Sequence, residues 1–306
     1  MTNARTFVFT LLAMIAFAGN SLLCRAALKE SSMDPATFTL VRIFSGAVAL
    51  WLIMSVRRMV IADTTATPFV EGFSSSAPVM RSLLRYGNWI STAALFAYAA
   101  SFSFAYTSLS AGTGALLLFG AVQATMILWG LHKGERLNAI QIVGFFVAIT
   151  GLVVLVFPGL SAPPLAGSIL MLGAGVAWGI YSLRGKGERN PGSVTTGNFV
   201  RAVPFAAGLS VIFASRIHFS PAGISYAIIS GAVTSGLGYV IWYSALPRLK
   251  AATAATVQLS VPVLAATGGI LLLGEPVTLR YVFASLAVLG GIALVVATTH
   301  SQDYTE

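Results

Sequence analysis

The chain has 306 residues, 57% hydrophobic and only 9% charged, where a soluble domain carries roughly 25% charged residues, so an ordinary soluble protein is excluded. The net charge of +9 does not indicate a nucleic-acid partner, because the basic residues fall in short loops between apolar runs, as in membrane proteins that set their orientation. A single cysteine, Cys24, excludes an internal disulfide.

Mean hydropathy is +0.85. Apolar runs of about 18–24 residues recur, each enough to cross a hydrocarbon core of roughly 30 Å as a helix. Ten spans are predicted: 6–27, 35–56, 84–106, 110–131, 139–157, 165–183, 194–214, 222–244, 251–273 and 278–298. The first contains "AFAG", which looks like a signal-peptide cleavage site, but it continues through Asn20, Ser21 and Cys24 and is read as a span. The second opens on Asp34-Pro35, an N-cap followed by a proline at the first helical position, and Ser220-Pro221 repeats the device at the eighth. Residues 57–83, with "TTATPFVEGFSSSAPVM", are expected to form a mobile or surface-lying cytoplasmic loop. Asn138 and Thr278 are expected to cap the fifth and tenth helices.

With the N-terminus placed in the cytoplasm, inner loops hold twelve Lys and Arg and outer loops three (Arg25, Lys29 and Arg216). This is a positive-inside bias, and ten spans return the C-terminus to the cytoplasm.

The second span contains Arg42, and a charge at the centre of a membrane helix costs about 2.5–3.5 kcal/mol on insertion scales. The arginine belongs to a duplication. "TFTLVRIFSGAVAL" (37–50) aligns with "TGNFVRAVPFAAGL" (196–209), so that Arg42 meets Arg201. "GERLNAIQIVGFFVAITGLVVLV" (134–156) aligns with "GEPVTLRYVFASLAVLGGIALVV" (274–296), so that Glu135 meets Glu275 and Gly151 meets Gly291. Tyr106 and Leu109 likewise meet Tyr243 and Leu246. Five spans is an odd number, so the copies have opposite orientation. Inverted repeats of this kind are a recurring plan of secondary transporters, with the site near the midplane. The expected fold is an all-α integral membrane protein with ten transmembrane helices arranged as two inverted five-helix repeats. These are residues 1–157 and 158–298, followed by a cytoplasmic tail at 299–306.

The paired arginines, the paired Gly-Glu turns, Pro262 and the Gly151/Gly291 pair resemble the drug/metabolite transporter superfamily in its ten-helix EamA-like branch. One departure is Val122, which stands where the first half would match Pro262. The wider pattern, including "LLLFGAVQATMILWG", is similar to the YddG-type amino-acid exporters. The resemblance implies a multi-pass carrier of the bacterial inner membrane that exports aromatic and other neutral amino acids by alternating access. Export of drugs or other small metabolites is the alternative within that class, and a non-transporting membrane scaffold the alternative outside it.

Arg42 lies about seven residues into its helix, roughly 10 Å from the start. Two readings stay open: a snorkelling or packing arginine, or a cation in the substrate pathway that attracts a carboxylate. Arg201 shares both. Polar and aromatic groups near the span centres suit a zwitterion with an apolar side chain: Asn20, Tyr98, Gln123, Trp178, Thr234, Ser235, Tyr239, Gln258 and Ser260. Pro262 is expected to bend the ninth helix. Glu135 and Glu275 sit in turns, each expected to start a helix and to serve structure or gating. No Asp or Glu falls well inside a span, which speaks against a built-in carboxylate proton relay. No P-loop, HExxH or Cys cluster occurs, so neither ATP hydrolysis, a metal nor a cofactor is expected, and no enzyme activity. Expected partners are amino acids or similar small metabolites and the membrane lipids; the oligomeric state is open.

Overall fold

A computed structural model describes residues 3–64, 86–134, 137–159, 162–185, 188, 190–245, 248–249 and 257–302. Local chemistry sets several of its helix starts. Asp34 Oδ1 accepts from the backbone N–H of Thr37 at 2.8 Å, Asn138 and Gln141 form a reciprocal capping box, and Thr278 Oγ1 accepts from Tyr281 N at 3.1 Å. Ser220 Oγ accepts from Gly223 N at 3.4 Å.

Ten helices follow among the described residues, and no strand: α1 Asn3–Lys29, α2 Pro35–Thr64, α3 Trp89–Tyr106, α4 Ala111–His132, α5 Ala139–Val156, α6 Leu165–Gly185, α7 Pro191–Ile212, α8 Pro221–Ala245, α9 Ser260–Leu273 and α10 Leu279–Gln302. Six of them (α1, α2, α4, α5, α6 and α8) contain stretches long and apolar enough to cross a membrane, and α9 and α10 add shorter apolar segments. Of the other two, α7 carries Thr195, Thr196, Asn198 and Arg201. The helices expose large apolar side chains outward, such as Phe7, Ile15, Phe146 and Leu286, which suits lipid rather than water. The chain is a multi-pass membrane protein.

Some expected boundaries change. Helix α2 runs on to Thr64, into the segment expected as loop, because "RRMVIADT" contains no breaker. Residues 65–85, the rest of that loop with the expected start of the third span, and 251–256, the expected start of the ninth, lie outside the described residues. Helix α10 continues to Gln302, past the expected end at 298.

The packing is paired. Helix α1 lies on α8 and α9, while α6 lies on α3 and α4. Helix α2 packs on α7 and on the middle of α8, α3 on α7, α4 on α9, and α5 on α10. Small residues permit the closest crossings. A Cβ at Gly144 on α5 would stand 2.6 Å from the carbonyl oxygen of Gly291 on α10, and one at Gly231 on α8 would stand 2.1 Å from that of Arg42 on α2.

Candidate functional site

The middle of α8, Ser230–Leu237, is wound as a π-helix. A π turn is wider than an α turn and re-aims side chains, and it recurs at functional sites. Here it sets Ser230, Thr234 and Ser235 against α1 and α2. Ser230 Oγ donates to Asn20 Oδ1 at 2.6 Å, with Thr234 Oγ1 at 3.4 Å from the same oxygen. Arg42 Nε donates to Ser235 Oγ at 3.3 Å.

Tyr98 on α3 closes the cluster. Its Oη accepts from Arg42 Nη2 at 3.0 Å and from Asn20 Nδ2 at 3.2 Å. The Arg42 guanidinium carbon also lies 5.2 Å from the Tyr98 ring centroid and 4.8 Å from that of Phe102, within cation–π range. Arg42 is 2% exposed, and its Nη1 has no hydrogen-bond partner among the described residues. The guanidinium therefore does not snorkel. It turns inward, and hydroxyls and ring faces replace its water.

An aromatic cage continues from Tyr98. Trp178 lies 4.9 Å from both Tyr98 and Tyr239, and Phe17 packs edge-on to Trp178, Tyr239 and Trp242. Phe17, Tyr98, Trp178 and Tyr239, with Asn20, Ser21, Phe119 and Thr234, line a cavity of about 20 Å³. That is room for about one water. Arg42 does not line it; Tyr98 and Phe102 stand between.

One end of the bundle is tied shut. Arg25 Nε and Glu275 Oε1 form an ion pair at 2.9 Å, and Glu275 Oε2 accepts from Ala111 N at 2.7 Å. Arg25 Nη1 donates to the Tyr106 carbonyl at 2.9 Å. Glu275 does not start its own helix, as the sequence suggested; α10 begins at Leu279, and the carboxylate instead sits at the N-terminus of α4, where the helix dipole favours it. It is buried, as is Asp34, so a place in a loop did not mean exposure. At the opposite end Arg184 donates to Ser91 Oγ at 3.1 Å and Asn88 Oδ1 at 3.2 Å. Sequence reasoning missed Arg25 and Arg184, although they stand at the same offset of 159 as Arg42 and Arg201.

Of the residues singled out from the sequence, Asn20, Arg42, Tyr98, Trp178, Thr234, Ser235 and Tyr239 come together. Arg201 lies apart: it donates to the Tyr86 carbonyl and to that of Gly197 at 3.2 Å, with its guanidinium 5.8 Å from the Trp89 ring. Gln123 is buried one turn beyond Phe119, and its Nε2 has no hydrogen-bond partner among the described residues. Ser260 Oγ bonds the Val257 carbonyl at 2.7 Å; neither it nor Gln258 lines the cavity. Pro262 occupies the first turn of α9, after a helix break at Leu259. Residues 257 and 258, just before the break, are helical too, so the helix is interrupted within the turn that precedes the proline. Glu135 lies outside the described residues.

A model of the EamA-like transporter family matches residues 165–297. An uncharacterized protein of Pseudomonas aeruginosa is 53% identical, over 97% of this chain and 96% of its own. An uncharacterized transporter of Archaeoglobus fulgidus is 23% identical over 97% of this chain and 99% of its own. The threonine/homoserine exporter RhtA of Escherichia coli K12 is 37% identical over 120 residues, 37% of this chain and 39% of its own. A solved crystal structure aligns at a TM-score of 0.64, with 16% identity over 97% of this chain and 99% of its own, which marks a shared fold.

Proposed function

We propose that the chain, whose residues 165–297 match the EamA-like transporter family, is a secondary transporter of that family exporting neutral amino acids, aromatic ones among them, across a bacterial inner membrane. It is a carrier and not an enzyme. The observation that carries the reading is the central cluster, where a buried, incompletely paired Arg42 stands behind an aromatic cage. The guanidinium suits a substrate carboxylate and the rings suit an apolar side chain. RhtA bears the name of a threonine/homoserine exporter, which supports amino acids as the class; the aromatic lining favours larger side chains. Other small metabolites are the second reading, favoured by the cavity's lack of any acidic partner for an ammonium.

The proposed mechanism is alternating access between two inverted five-helix halves, residues 1–157 and 158–298, with both termini cytoplasmic. Support comes from the packing. If α1 corresponds to α6, α2 to α7 and so on, the contacts of α1 with α8 and α9 mirror those of α6 with α3 and α4. A cavity that holds about one water cannot hold an amino acid, so the helices must part to admit one. The Arg25–Glu275 pair is the outer closure of this state.

The test is uptake of labelled amino acids by proteoliposomes, for wild type and Arg42→Ala. Uptake by the wild type that the folded variant has lost supports the pathway reading. A wild type that moves no amino acid removes it.

A further inference from the structure

The polar lining of the central cavity consists of hydroxyls and an amide, with no carboxylate among them. Tyr98 lines it, and both lone pairs of its hydroxyl oxygen are taken, one by Arg42 and one by Asn20. Its own hydrogen finds no acceptor among the described residues. A phenol that accepts from a guanidinium is polarised into a better donor. The Asn20 carbonyl oxygen accepts from Ser230 at 2.6 Å, while Thr234, 3.4 Å from the same oxygen, gives its single hydrogen to the Ser230 carbonyl at 2.8 Å. No carboxylate lines the cavity. A substrate ammonium would meet the Asn20 amide, hydroxyls and ring faces but no countercharge, beside a buried guanidinium that repels it.

We infer that the Tyr98 hydroxyl is the specificity-determining donor to a substrate carboxylate. Arg42 is the positioning residue that acts through it, and the substrate's amino group is dispensable. The ligand class is a small monocarboxylate with an aromatic or branched apolar body. Hydroxy acids and oxo acids bind alongside the amino acids of the same side chain. The sequence had pointed to Tyr98 for its ring; the hydrogen-bond balance gives the role to its oxygen. The inference rests on the reading of the chain as a carrier of small carboxylate-bearing metabolites, but not on amino acids being the cargo.

The experiment is binding to the purified full chain in detergent, read by ligand-induced thermal stabilisation and by fluorescence of Trp178, which touches Tyr98. Two matched sets serve as probes: phenylalanine, phenyllactate and phenethylamine, then leucine, its hydroxy acid and its amine. Within a set, the hydroxy acid is expected to bind within a few-fold of the amino acid, and the amine at least about ten-fold more weakly. Tyr98→Phe is expected to weaken both acids about ten-fold to a hundred-fold and to leave the amine unchanged. Arg42→Lys should recover part of what Arg42→Met loses. Amines binding as tightly as acids, or acids binding Tyr98→Phe as they bind wild type, overturns the inference. So does failure of every acid to bind wild type. The matched ligands on wild type decide the question even if a variant does not fold. Hydroxy acids that bind while no amino acid is transported would remove the amino-acid reading alone. Amino-acid transport unaffected by Tyr98→Phe would remove this inference alone.

Discussion

Arg25 and Glu275 are 250 positions apart in the chain and 2.9 Å apart in space. Each also binds the turn between α3 and α4: Arg25 holds the Tyr106 carbonyl, and Glu275 caps Ala111. One carboxylate thus joins α1, that turn and the α9–α10 connection.

Breaking this pair should favour opening at that end. Glu275→Gln keeps the acceptor for Ala111 but removes the charge. We expect a coupling energy of about 1–3 kcal/mol between Arg25→Met and Glu275→Gln in a thermal double-mutant cycle. Cys24, fully buried beside Arg25, should react faster with a maleimide in Glu275→Gln. An unchanged labelling rate would mean that the pair does not hold the end closed.

The two repeat-related arginines should behave differently. Arg42→Ala removes the buried cation of the cluster and should lower transport about ten-fold or more at subsaturating substrate. Arg201→Ala loosens the chain ahead of α3 and should lower Tm while leaving the apparent KM of transport near that of wild type. Equal effects on KM would contradict the different surroundings of the two side chains.

Gly231 stands where α2 and α8 cross. A Cβ there would meet the Arg42 carbonyl oxygen and Ser45 Oγ, both at 2.1 Å, and neither is the end of a long flexible side chain. Gly231→Ala should therefore cost about 1–3 kcal/mol. Gly290→Ala is the control, since nothing lies within 4 Å of the added carbon and the helix gains up to about 1 kcal/mol of propensity. Thermal unfolding of the two variants side by side checks the contrast.

Transport should need no pH gradient. Neither a carboxylate nor a histidine lines the central cavity. Counterflow of a labelled neutral amino acid in proteoliposomes should proceed at the same rate with and without a protonophore. A rate that collapses with the gradient would place a proton site elsewhere in the chain, with Glu275 the first residue to substitute.

Much of the architecture was legible in the sequence because it is local. Asp34, Asn138, Ser220 and Thr278 cap their helices through bonds that span three residues, and apolar length alone announces a helix that crosses lipid. The duplication was legible as a pattern, and it put Arg42 and Arg201 in one register. What each arginine touches was not legible. Arg25 read as a loop charge and is a half-buried partner of Glu275; the π turn of α8 had no local signal beyond a run of small residues. The physical reason is that lipid and protein interior are equally apolar. In water, a helix shows which face it buries by the polarity of the other. In a membrane both faces are apolar, so rotation and register are decided by long-range fit: which glycines let two backbones meet, and which hydroxyl faces which guanidinium. The sequence by itself determined that helices would form, where many begin, and that the pattern repeats. Only the tertiary structure decided that Asn20, Arg42, Tyr98 and the π turn of α8 would meet in one place.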